Sequence, residues 1–111
     1  MKLNTRELNN IVIISLEIDL MGRQQAEEFH DKVSNLLLEG KKNMIIDLSD
    51  AKIVRSAVLG GIMKAFFMVK EAGGHLKLAG VSDKVRNLLV IVKFNNVIEQ
   101  YNTIEEAVKS F

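Results

Sequence analysis

Residues 44–61 read MIIDLSDAKIVRSAVLGG and contain the strand-to-helix transition on which the fold depends. The run Met44–Leu48 is short, continuous and largely apolar, which is typical of a strand buried on both faces of a sheet. Ser56 has the position of a helix N-cap, because apolar residues recur after it at helical spacing. This helix is expected to end at about Ala72, before Gly73–Gly74. A buried strand followed by a helical crossover indicates an α/β protein with parallel strands.

The strand and helix patterns continue on both sides of this stretch. A polar strand, Leu3–Leu8, and an apolar strand, Ile11–Leu16, flank Asn9–Asn10, a pair that tolerates the left-handed φ of a tight hairpin turn. The other predicted elements are a helix over about Arg23–Glu39, a strand at His75–Ala79, a helix capped by Ser82, a short strand at Val97–Gln100, and a helix opened by the capping box Thr103–Glu106. This order predicts one α/β domain over residues 1–111, with a mixed sheet of four to five strands and about four helices mainly on one face.

The apolar periodicity also predicts which side chains form the core. The positions expected to be mostly buried are Val12, Ile14, Ile45, Leu48, Val58, Ile62, Phe66, Leu78 and Leu89.

The composition excludes several classes of function. With 15 Lys and Arg against 14 Asp and Glu, the net charge of +1 gives no electrostatic footprint for nucleic acid or an anionic membrane. The chain has no cysteine, which excludes disulfides, thiol catalysis and cysteine-based metal sites. No apolar run approaches the roughly 20 residues that span a bilayer, and the N-terminus lacks the apolar segment of a secretory signal. We therefore expect a cytoplasmic protein.

Five short segments, in order and at matching spacing, resemble the STAS domain family. They are Leu16–Asp19, Ile45–Ser49, Leu59–Gly60, Gly73–Gly74 and Ala79–Ser82. That family includes bacterial anti-sigma factor antagonists and the cytoplasmic domains of sulfate transporters. The resemblance covers nearly the whole chain, and implies a module that binds a kinase-like anti-sigma factor and thereby releases a sigma factor.

The start of the second helix departs from the family's pattern. Where the family carries Asp-Ser-Ser/Ala/Thr-Gly-Leu-Gly, residues 55–60 read RSAVLG. Arg55 reverses the charge of the aspartate, and Val58 replaces the first glycine. Ala57 lies where kinase-switched antagonists carry the phosphorylated Ser or Thr, so the resemblance implies binding without the usual switch. Ser56 is either an N-cap or a phosphorylation site beside Arg55, and we favour the cap, because capping alone explains a serine there.

The second helix carries glycine and apolar residues on the face opposite its core face, where a surface helix usually carries polar residues. Residues about 100° apart place two adjacent glycines and the apolar Phe67 and Met68 opposite the core face. Two glycines inside a helix cost about 1 kcal/mol each relative to alanine. We therefore predict a docking surface for a protein partner, formed by Asp19, Arg55, Ser56, Ala57, Val58, Gly60, Gly61, Lys64, Phe67 and Met68. The alternatives are that the face is rotated or that a neighbouring helix covers it.

Two groups of ionisable residues are candidates for sites of chemistry. Glu27, His30 and Asp31 could lie on neighbouring faces of the first helix, but one imidazole is a poor metal ligand set and a solvated face is favoured. Asp19 and Asp47 lie near the carboxyl ends of strands, the end at which α/β proteins usually place their functional sites. Asp47 is either a functional carboxylate or an acceptor of hydrogen bonds from loop amides, and the second is commoner for a lone buried aspartate. No nucleophile–base pair and no phosphate loop is present, so we expect no catalytic residue, metal or cofactor.

Two alternatives to the antagonist function stay open. One is a regulatory subunit of a membrane transporter complex, and the other is a nucleotide-binding STAS domain. The missing phosphate loop counts against the second.

Overall fold

The computed structural model of this protein describes residues 3–16, 23–51 and 56–111. In these ranges the chain forms a four-stranded sheet in the order β1–β2–β3–β4. The strands are β1 (Leu3–Leu8), β2 (Ile11–Leu16), β3 (Asn43–Asp47) and β4 (His75–Ala79). β1 and β2 are antiparallel, whereas β2, β3 and β4 run parallel to one another. The predicted mixed sheet is confirmed.

The β1–β2 hairpin turns on the predicted asparagine pair. Asn9 and Asn10 have φ of 54° and 66°, the left-handed values that a two-residue hairpin turn requires. The turn pairs Leu8 with Ile11. β1 is almost entirely exposed and β2 is largely buried, so the polar composition of β1 suits an edge strand.

Four helices accompany the sheet in the described ranges. They are α1 (Arg23–Leu38), α2 (Ser56–Glu71), α3 (Asp83–Ile91) and α4 (Ile104–Lys109). The predicted caps of the last two are confirmed, since the side chain of Ser82 accepts from the Val85 amide and that of Thr103 accepts from the Glu106 amide.

Two glycines after α2 end the helix and start the next strand. Gly73 has φ of 80°, and its amide donates to the Lys70 carbonyl. A Cβ at Gly74 would lie 2.2 Å from the Lys42 carbonyl oxygen, so only glycine fits there without movement of the backbone. This close approach packs the end of α2 onto the entry to β3.

The core lies on both faces of the sheet, and the larger part lies under the first three helices. Of the nine predicted core residues, eight are buried and Phe66 is half-buried against them. The main cluster joins one face of the strands to buried residues of α1, α2 and α3. A smaller cluster on the opposite face joins Ile11, Ile13, Ile45 and Ala79 to Ala107 of α4. The expectation that the helices lie mainly on one face is confirmed.

The fifth strand predicted at Val97–Gln100 is wrong for the part of the chain that the structure describes. Only a single parallel bridge, Leu78 to Gln100, continues the sheet beyond β4. The amides of Val97 and Ile98 both donate to the Phe94 carbonyl, which forms a turn instead. The Gln100 side chain reinforces that turn by donating to the carbonyls of Asn95 and Ile98. These local bonds compete with strand pairing.

Candidate functional site

α2 presents one buried face and one exposed face. Its buried residues are Val58, Leu59, Ile62, Met63, Ala65 and Val69. Ala57, Gly60, Lys64 and Phe67 are exposed and recur at intervals of three and four, so they form one stripe along the helix. We call these four residues the α2 outer face. Exposed small and apolar side chains on this stripe are what a docking helix offers to a partner.

Gly60 lies in open space on this outer face. Apart from the adjoining backbone of its own helix, a Cβ built there meets no atom of the described chain within 4 Å. Intramolecular packing among the described residues therefore does not require glycine at this position, although glycine costs the helix about 1 kcal/mol relative to alanine. Gly60 contrasts in this respect with Gly74, whose Cβ would clash with backbone.

Phe67 supplies the large apolar side chain of the outer face. It is 45% exposed, and its ring lies edge-on to that of Phe66, with centroids 5.3 Å apart. Phe66 is itself packed against the main core. The outer ring is thus held by its neighbour while part of its surface remains open to a partner.

Val58 was predicted to contact a partner, and the structure corrects that assignment. Val58 is 1% exposed and belongs to the main core. It shares a helix face with Ile62 and Val69, because residues four and eleven apart return to the same side of a helix. The residue that replaces the family's first glycine therefore packs inward.

Gly61 and Met68 lie on the flank of α2 rather than on its open face, and both are half-buried. The ring Nε2 of His30 in α1 donates to the Gly61 carbonyl at 2.8 Å. Met68 packs against the main core. For these two residues, the alternative that neighbouring structure covers them is the better description.

His30 is accordingly a link between two helices. Glu27 and Asp31 are exposed, as the favoured solvated face predicts, whereas His30 is half-buried by this contact. In the described ranges, no group of three or more His, Cys, Asp and Glu side chains is arranged to hold a metal ion.

The remaining predicted site residues lie at the start of α2 and after β2. Asp19 and Arg55 lie outside the described residues. Ser56 is the exposed first residue of α2, and the residue before it is among those not described. Both interpretations of Ser56, as a cap and as a phosphorylation site, stay predictions.

Asp47 has a structural role at the carboxyl end of β3. It is 6% exposed and accepts hydrogen bonds from the Ser15 hydroxyl at 3.1 Å, the Ser49 amide at 3.0 Å and the Ser49 hydroxyl at 2.6 Å. These bonds tie the end of β2 to the loop after β3. The interpretation of Asp47 as a carboxylate that bonds its own loop is favoured, since both of its oxygens accept hydrogen bonds from neighbouring groups.

Lys77 is a buried charge that the sequence interpretation did not single out. It lies in the middle of β4 at 6% exposure, and its Nζ donates to the carbonyl of Ser110 at 3.0 Å and to the Ser110 hydroxyl at 2.9 Å. It also forms an ion pair with Glu99 at 3.3 Å. Hydrogen bonds from the Tyr101 hydroxyl and from Lys77 hold the pKa of Glu99 below its ordinary value. The sequence signal for this buried charge is a lysine between the two leucines of β4.

The described helices are α1 to α4. None of them is long and apolar enough to span a bilayer.

Residues 2–107 match the STAS domain family. A Thermotoga neapolitana protein, named as a homologue of the candidate anti-sigma factor antagonist TM1081, is 29% identical over 73 residues, or 66% of this chain and 65% of that protein. The matched region thus spans less than two thirds of that relative's length.

Solved structures share the fold. The crystal structure of TM1081 from Thermotoga maritima superposes with a TM-score of 0.85 at 24% identity, over 97% of this chain and 92% of that one. An anti-sigma-factor antagonist (STAS) domain protein from Planctomyces limnophilus gives 0.81 at 17% identity, over 97% and 96%. The element order, the sheet topology and the family match agree, and the chain belongs to the STAS domain family.

Proposed function

We propose that this protein is a non-catalytic anti-sigma factor antagonist that binds a kinase-like anti-sigma factor in the cytoplasm. The observation that carries the proposal is the α2 outer face, which exposes a glycine and a phenylalanine where a helix packed only on its own sheet would carry polar residues. The names of the relatives support the choice of partner class.

The chemistry of the outer face varies along the helix. Ala57 and Gly60 at its start carry little or no side chain, so a partner's backbone can come close to the helix. Lys64 offers an exposed positive charge, and Phe67 offers an apolar anchor one turn further on. This order favours a partner surface with a close backbone approach, an acidic group and an apolar pocket.

The same surface supports a binder that lacks the usual phosphorylation switch. Ala57 is exposed in the first turn of α2 and has no hydroxyl to accept a phosphate. A phosphate adds about −1.5 to −2 charge and would repel an acidic partner surface. Without that step, binding to the anti-sigma factor is constitutive.

Calorimetric titration of the protein with its cognate kinase-like anti-sigma factor tests the site. Gly60→Glu and Lys64→Glu should weaken binding by about tenfold or more, the loss expected when a central contact is disrupted. Lys109→Glu is the matched control, because it makes the same charge change on α4, across the sheet from α2. No binding by the unaltered protein would contradict the function, whereas an equal loss with Lys109→Glu would contradict the site.

Incubation with the same partner and Mg-ATP, followed by intact-mass analysis, tests the switch. We expect no gain in mass for the unaltered protein and a gain of one phosphate for Ala57→Ser, which restores the hydroxyl. One phosphate on Ser56 of the unaltered protein would show that the site has moved by one residue.

A further inference from the structure

A groove lies near the C-terminal end of α2, away from the start of that helix. One cavity of about 340 Å³ lies between the end of α2 and the start of β4, and its lining includes Phe66, Lys70 and Val97. A second cavity of about 460 Å³ extends along α3, and its lining includes Arg86, Val90 and again Val97. Both cavities are lined by Val97 and Glu99, so they adjoin, and we call the two together the α2–α3 groove.

Apolar side chains lie in and beside both halves of the groove. Val90 is 56% exposed and Val97 is 42% exposed, although each could have been a polar residue at no cost to the core. Phe66 forms a half-buried wall of the first cavity. The second cavity is otherwise lined mainly by polar residues, such as Asn95, Asn96 and Gln100. One exposed apolar side chain against polar surroundings in each cavity suits the apolar anchors of an amphipathic helix.

The charge in the groove is positive. Lys70 lies with its Nζ 5.9 Å from the centroid of the Phe66 ring. Arg86 donates to the side-chain oxygen of Asn102, a neutral group, and forms no ion pair with another described residue. Glu99 also lines both cavities, but its carboxylate is engaged by Lys77 and by the Tyr101 hydroxyl. An occupant of complementary charge is therefore acidic.

We propose that the α2–α3 groove binds an acidic amphipathic helix of a partner protein. Apolar side chains of that helix enter the two cavities against Phe66, Val90 and Val97, and its acidic side chains pair with Lys70 and Arg86. The groove adjoins the end of the α2 outer face, because the Phe66 ring contacts that of Phe67, but no residue of that face lines either cavity. The proposal does not depend on the identity of the anti-sigma factor.

The test uses a fluorescein-labelled helical peptide of about 15 residues as the probe, with leucines at helical spacing on one face and glutamates elsewhere. Two comparison peptides have the same composition in scrambled order, or lysine in place of glutamate. In anisotropy titrations with the full-length protein, the probe should bind at least about tenfold more tightly than either comparison peptide. Equal binding of the scrambled or lysine peptide would overturn the proposal.

Protein variants locate the binding site. Val97→Glu and Lys70→Glu should each weaken probe binding by about tenfold. Leu38→Glu is the matched control and should leave binding unchanged, because Leu38 is 83% exposed at the end of α1 and lines neither cavity. An equal loss with Leu38→Glu would overturn the proposal. If thermal unfolding shows that Val97→Glu does not fold, Val90→Glu takes its place.

Sedimentation of the unliganded protein tests whether a second copy of this chain, rather than a partner helix, occupies the groove. We expect a monomer whose sedimentation is unaffected by the groove variants. A dimer that Val97→Glu converts to monomer would overturn the proposal and assign the groove to self-association.

Discussion

The two faces of α2 both carry apolar residues, but only one of them is packed against the sheet. The inner face buries aliphatic side chains such as Ile62 and Val69 completely, and the packing of the sheet explains each of them. The outer face carries Gly60 and Phe67, which no contact within the described chain requires in that form. Apolar character on a helix is therefore not evidence of core packing until its direction is known. On α2, the residues that packing leaves unexplained are those that we assign to binding.

The largest expected effect lies on the inner face. Ile62→Ala removes a fully buried side chain and should reduce the free energy of unfolding by about 2–5 kcal/mol. Urea denaturation measures this change, with Lys64→Ala on the outer face as the control, for which the change should stay within about 0.5 kcal/mol. Similar losses for the two variants would remove the distinction between the faces.

Gly74 is a glycine that packing requires, and it can be compared with Gly60 on the outer face. In Gly74→Ala the added Cβ would lie 2.2 Å from the Lys42 carbonyl oxygen and 2.9 Å from Cγ1 of Val69. Because backbone must move to relieve this contact, the unfolding free energy should fall by about 1–3 kcal/mol. Thermal unfolding tests the change. A variant as stable as the unaltered protein would mean that the backbone at the α2–β4 junction moves at little cost in free energy.

Gly60→Ala should have the opposite sign. The open space around Gly60 accepts a methyl group, and alanine is the better helix former by about 1 kcal/mol. Stability should therefore increase, while calorimetry with the anti-sigma factor should show weaker binding, because the Cβ separates the two backbones. Lower stability would contradict the exposure of this position, and unchanged affinity would contradict a close approach there.

The smallest expected effect lies beyond the β4 edge of the sheet, at Glu99. The hydroxyl of Tyr101 and the ammonium of Lys77 lower the pKa of Glu99, so its contribution to stability is present above the unfolded pKa of about 4.3 and is lost as pH falls through the folded pKa. The effect is modest because the Glu99 side chain is 60% exposed. Urea midpoints of the unaltered protein and Glu99→Gln should differ at pH 7, and the difference should shrink as pH falls below about 4.3. A constant difference across this range would exclude the ion pair as its cause.

Most of the fold could be predicted from the sequence because each element has a local periodic signal. The inner face of α2 follows from residues spaced three and four apart, and the β1–β2 turn follows from two asparagines that tolerate positive φ. The strand at Val97–Gln100 could not be excluded in this way. Its apolar pattern is compatible with a strand, and side-chain bonds from Gln100 decide in favour of the turn.

The candidate site was less predictable than the fold, because exposure depends on contacts between distant segments. Val58 was assigned to both the core and the docking surface, and only its three-dimensional surroundings place it inside. The bond from His30 to the Gly61 carbonyl joins residues that are 31 positions apart and has no sequence signature. Lys77 shows the same limit, since its partner Ser110 lies 33 positions away.

Chemical-shift mapping on the isotope-labelled protein, titrated with the unlabelled anti-sigma factor, tests the central assignment most directly. If the α2 outer face is the docking surface, the largest perturbations will fall at Ala57, Gly60, Lys64 and Phe67, while the amides of α4 will change little. Perturbations concentrated on α4 with α2 unchanged would contradict that assignment.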